Sequence, residues 1–174
     1  MRRLVPSLVL SLILPTILAA CATVERIDAA GDIHALLVSI RDNDKQAFDA
    51  HVDRPALKAQ LKTRITAEII KNAGQFGGAL AQVFGGVADP LIDAAVQPSV
   101  FLAVAESKGY RPSQPLPGRA AIAASLRPLQ DQRVCVIEKR DGPCLLVFRN
   151  EAGTWRLIGY EGPKDLLKLP NALK

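Results

Sequence analysis

Cys21 is the residue whose chemistry is most sharply framed by its neighbours. Leu18, Ala19 and Ala20 place small side chains just before it, as a signal peptidase with a narrow active site requires. Upstream, Arg2 and Arg3 precede an apolar run from Leu4 to Leu18 that is short and interrupted by proline, a poor membrane span. Together these parts predict a signal peptide over residues 1–20, removed so that Cys21 becomes the N-terminus.

The arrangement resembles the lipobox of bacterial lipoproteins; the competing reading is an ordinary secretory signal with a chance cysteine. The resemblance implies a diacylglyceryl group on the Cys21 sulfur and, once cleavage frees its amine, an acyl group there, with fatty chains such as palmitate. Each buried methylene contributes about 0.8 kcal/mol, and two chains suffice for stable anchoring, so the mature protein is expected to be tethered to a membrane rather than to span it. Ala22, in place of an aspartate, resembles the pattern of lipoproteins sent onward, which points to the periplasmic face of the outer membrane in the bacterial envelope. The membrane is therefore the first expected partner, with an envelope protein or lipid as a second.

With Cys21 committed to lipid, Cys135 and Cys144 remain in an oxidising compartment, where a disulfide is the simpler reading and two buried free thiols the alternative. Their spacing fits neither a redox CxxC nor a zinc site. His34 and His51 have no metal-ligand partner at helical spacing and no serine nucleophile in a recognisable elbow. His51 lies between Asp49 and Asp53, which could orient its ring, although a histidine at a helix end or in a surface pair explains it equally. Asp42, Asp44, Asp49 and Asp53 recur near helix starts, where capping accounts for them. Trp155 and Tyr160 alternate with Leu157 and read as core or rim aromatics, with ligand stacking as the functional alternative. No catalytic residue, cofactor or metal is expected. The precursor's formal charge of +5 falls to +3 once Arg2 and Arg3 are removed, too weak and dispersed for a nucleic-acid partner.

The elements that must carry these residues follow from periodicity. Residues 21–31 are expected to form the lipidated cysteine and a polar tether, extending at most about 30 Å. A single domain is expected over 32–162 and a tail over 163–174. Ile33, Leu36, Leu37 and Ile40 form one face of a helix ending near Asp42 and Asn43. Asp44 caps a short helix with Ala47 and Phe48 inward; Asp53, with Pro55 in the first turn, caps a longer one carrying Leu57, Leu61, Ile65 and Ile69. The basic side chains of that helix (Lys58, Lys62, Arg64 and Lys71) form a solvated face or one turned to lipid headgroups. Glycines at 74, 77, 78, 85 and 86 mark either close helix packing or a membrane-touching flap. Asp89-Pro90 and Gln97-Pro98 open two more helices, the second ending near Gly109; Arg111 to Gly118 is a surface connection, and Ala120 to Leu126 a last helix or a first strand. Beyond it the period becomes two: Arg133 to Glu138, Cys144 to Arg149 and Thr154 to Tyr160 are strands separated by turn residues. The fold expected is α+β: N-terminal amphipathic helices packed on a C-terminal antiparallel meander of three or four strands.

His51-Val52-Asp53-Arg54-Pro55-Ala56-Leu57, with Asp89-Pro90-Leu91 and Gln97-Pro98, resembles an uncharacterised bacterial family, a domain of unknown function in exported or membrane-anchored proteins. The likeness spans Ile33 to Tyr160 and implies one compact domain without catalytic residues to transfer. The order of helices and curved sheet also looks like the cone-shaped nuclear-transport-factor-like fold, whose concave sheet can hold a small ligand. Two functions compete: a non-enzymatic binding or scaffolding module at the envelope, and a ligand-binding or enzymatic domain built on a cone-shaped pocket.

Overall fold

The computed structural model describes residues 6–73, 78 and 89–161, with side chains from Thr23 onward except at 73. Helix α1 spans Pro6–Arg41, α2 Lys45–Ala50 and α3 Arg54–Ala73. A helical segment over 89–95 is α4, followed by α5 (Pro98–Ser107) and α6 (Arg119–Ala124). Strands β1 (Leu126–Leu129), β2 (Arg133–Ile137), β3 (Cys144–Glu151) and β4 (Thr154–Tyr160) pair in chain order as an antiparallel sheet. The expected α+β arrangement is present, with four strands. The ambiguous stretch from Ala120 to Leu126 divides between α6 and the first residue of β1.

The extended tether expected over residues 22–30 is instead part of α1. No glycine or proline interrupts residues 16–30, and their alanines favour helix. Ala29 and Ala30 are fully buried members of the core, so packing begins before Asp32. At a helical rise of about 1.5 Å per residue, Cys21 lies about 12 Å from Ala29 along the axis. The glycines at 74, 77, 85 and 86 lie outside the described residues, so neither reading of that stretch is decided; Gly78 is exposed.

Local signals explain the starts of α2 and α3. Asp44 accepts from Ala47 N–H at 3.0 Å, and Asp53 accepts from Ala56 N–H at 2.9 Å, each a side-chain cap. Between α1 and α2 the chain reverses through Asn43, whose positive φ of 53° is one that asparagine tolerates. The apolar stripe of α3 enters the core only in its first turns: Leu57 is buried and Leu61 packs on the core, whereas Ile65 is exposed.

One core joins the layers. Ile33 and Leu36 of α1, Phe48 of α2 and Val96 meet Val134, Phe148, Trp155 and Leu157 of the sheet, all 5% exposed or less. Phe48 is fully buried and packs edge-on against Phe101 at 5.2 Å between ring centroids. The hairpin between β3 and β4 turns through Ala152 and Gly153, both at positive φ, which matches the twist of the flanking strands. Pro128, which cannot donate to a ladder, sits on the edge strand β1.

Phe48→Ala is expected to destabilise the domain by about 3–5 kcal/mol, the usual cost of emptying a fully buried phenylalanine site. A urea titration followed by fluorescence of Trp155, the only tryptophan, measures it.

Candidate functional site

The residues singled out by chemistry converge on the free edge of β4. Its outward N–H groups need acceptors, because among the described residues no full strand lies beyond it. Trp155 N–H donates to the Asp32 carboxylate at 2.7 Å. Leu157 N–H donates to the His51 carbonyl at 2.9 Å, and Asp53 N–H returns a bond to the Leu157 carbonyl at 3.0 Å, so Val52 bridges to β4 in parallel. Tyr160 N–H donates to the Gln60 side-chain oxygen at 2.7 Å. Gly159 permits that approach, since a Cβ there would stand 3.1 Å from the Gln60 amide.

Around this edge most charged side chains are engaged, while His51 Nδ1, Arg54 Nη2 and Arg156 Nε are buried without a hydrogen-bond partner. Asp28, one helical turn before Asp32, accepts from the Trp155 indole N–H at 2.9 Å. Asp53 caps α3 with one oxygen and receives the Arg149 guanidinium on the other at 3.2 Å. Arg149 also binds Glu151, and that hydrogen bond holds its guanidinium above the ordinary arginine pKa. Asp49 pairs with Arg54, whose guanidinium lies 5.8 Å from the Phe48 ring centre.

The two histidines make different contacts. His34 Nδ1 lies 3.1 Å from the Pro117 carbonyl, to which its N–H donates, so it ties α1 to the loop before α6. The His51 ring lies nearest Asp32, with Nδ1 3.9 Å from its carboxylate, rather than being held between Asp49 and Asp53 as a bond of orientation would require. Trp155 is buried, and the Tyr160 ring lies under Arg64 at 5.4 Å, an arrangement that leaves neither as an open stacking platform. Lys58 and Lys62 on α3 pair with Asp93 and Asp89 of α4, so part of the expected basic face faces carboxylates rather than lipid. Cys135 and Cys144 form a disulfide. Cys21 lies within the helical backbone of α1, and its side chain is outside those described.

A family model described as a protein of unknown function (DUF2939) matches residues 16–104. The chain belongs to the DUF2939 family. No curated protein and no solved structure matches it. The DUF2939 match begins before Ile33 and ends before the sheet, so it is placed differently from the likeness expected over Ile33 to Tyr160. It contains Asp28, Asp32, Val52, Asp53 and Gln60, while their partners Arg149, Trp155, Leu157 and Tyr160 lie beyond it.

Sequence reasoning placed Asp53 correctly as a cap but missed Asp28, Asp32, Gln60 and Arg149. The spacing of Asp28 and Asp32 was a usable helical signal; nothing local names Trp155 as their shared donor. Among the described residues no cluster of three or more His, Cys, Asp or Glu is arranged to hold a metal ion. The inner face of the sheet is filled by Trp155, Leu157, Phe148 and Val134, so the described residues form no open cone on that face.

Substitutions at two positions test the edge. Asp53→Ala should cost about 1–2 kcal/mol, chiefly the helix cap, whereas Asp53→Asn keeps a capping oxygen, loses only the half-exposed Arg149 pair and should cost less. Asp32→Ala should cost about 1–3 kcal/mol by leaving the Trp155 amide without its acceptor. Urea midpoints measure all three, and hydrogen exchange at Trp155 should accelerate only in Asp32→Ala.

Proposed function

We propose that this protein is a non-enzymatic lipoprotein of the bacterial envelope, a binding or scaffolding module held at the membrane by acyl chains on Cys21. The observation that carries the reading is where the polar side chains at the β4 edge go. Asp28, Asp32, Asp53, Gln60 and Arg149 close a sheet edge and cap a helix instead of converging on a cavity. A catalytic or small-ligand site requires unengaged polar groups around a concavity, and the packed inner face of the sheet weighs against that alternative.

The anchor and the domain form one mechanical unit in this reading. Removal of residues 1–20 shortens α1 without touching the turns that carry Asp28, Ala29, Ala30 and Asp32. The acylated sulfur then sits two helical turns from the first core residues, so the module lies against the bilayer rather than on a flexible lead. Ala22 supports the periplasmic face of the outer membrane as the location.

Intact mass of the protein purified from its native membrane tests the proposal. The expected mass is that of residues 21–174 with diacylglyceryl and acyl groups on Cys21. Cys21→Ser should remove the lipid mass and prevent the cleavage that depends on it. A native mass that keeps residues 1–20 with an unmodified Cys21 would overturn the lipoprotein reading and show that α1 is retained as an uncut leader.

A further inference from the structure

We infer that a basic groove beside the N-terminal end of the domain seats the phosphate of an anionic phospholipid headgroup in the bilayer to which Cys21 is attached. The groove has a volume of about 490 Å³ and lies between α1, α6, the start of β1 and the end of β2. Its cations are Arg26, Arg127, Lys139 and Arg140, against one carboxylate, Glu138. Small side chains of α6, Ala121 and Ala124, form its apolar wall.

The cations are held in place by different parts of the fold. Arg127 is half-buried and donates from Nη1 to the Gly142 carbonyl at 3.2 Å, which ties it to the turn after β2. That same turn carries Lys139 and Arg140 and is closed at its base by the Cys135–Cys144 disulfide. Arg26 comes from α1 and also lines a second, smaller depression with Thr23, Ala123 and Ala124.

Position selects the ligand. Arg26 is five residues beyond Cys21, about 7.5 Å along a helix axis. The headgroup layer on each side of a bilayer is about 5–8 Å deep, so an acylated Cys21 keeps Arg26 within reach of the headgroups at any tilt of α1. Val24 and Ile27, three residues apart on α1, are 66% and 60% exposed at the same end of the domain. Exposed apolar side chains beside arginine are the composition of an interfacial helix, where the apolar groups enter the acyl boundary and the cations meet phosphate. The inference rests on the proposed anchoring for its geometry.

The test uses full-length protein purified from its native membrane and reconstituted in phosphatidylcholine vesicles, with or without phosphatidylglycerol. Amine acylation of Lys139 is compared with that of Lys108, which does not line the groove. Phosphatidylglycerol should slow labelling of Lys139 about five-fold, the factor one basic residue contributes at an anionic surface, and leave Lys108 unchanged. Arg26→Gln and Arg140→Gln should each reduce that protection, while Lys45→Gln on α2 should not; Trp155 fluorescence checks that every variant is folded. Equal labelling of Lys139 on both kinds of vesicle overturns the inference, as does equal protection by inorganic phosphate in detergent, which would make the groove a site for free phosphate. Intact mass of the same sample separates the two proposals: an acylated Cys21 without protection removes the groove alone, and protection with an unmodified Cys21 removes the anchor alone.

Discussion

An edge strand whose outward N–H groups must find acceptors is the constraint on which this structure depends. Strand β4 meets it with three acceptors of different kinds: a carboxylate from α1, a backbone carbonyl from the α2–α3 link and a side-chain amide from α3. Each also locates the element that supplies it. A free edge of seven residues would invite pairing with another chain, and the helices block that route while completing the core.

The same constraint explains why so many polar side chains lie close together at this edge. Asp53 donates and accepts at once: its N–H enters the bridge to β4, one carboxylate oxygen caps α3, and the other meets Arg149 on β3. The Arg149 pairs are half-exposed, so their charge energy is modest, and the larger contribution comes from satisfying backbone donors that would otherwise be stranded. The aspartates on α1 act likewise on Trp155, gripping its backbone and its indole from successive turns. These are contacts between the helical half, which contains the family match, and a sheet beyond it.

A second consequence concerns the N-terminal end. Because α1 passes without a break from Cys21 into the core, any force or orientation imposed at the cysteine reaches Trp155 through helical turns. The basic groove lies at that same end, framed by α6 and by the disulfide-closed turn after β2. Lipid attachment, as proposed, would therefore orient the domain as well as retain it.

Much of the architecture was legible before folding is considered. Period-four apolar residues marked the early helices, Asp44 and Asp53 marked two starts, and turn residues separated three of the strands, because caps and periodicity act within a few residues. The short strand β1 and the helical character of residues 22–30 were less clear. Pro128 and a polar composition obscured them, and both are stabilised by neighbours distant in the chain. The sequence by itself determined the helices-then-sheet order and the one cysteine pair available for a bridge once Cys21 is set aside. Only the tertiary structure decided that Asp28, Asp32 and Gln60 would serve Trp155 and Tyr160, across separations of 127, 123 and 100 residues. Those partners are selected by which donors the edge of β4 leaves unsatisfied, a quantity that exists only after the sheet has formed.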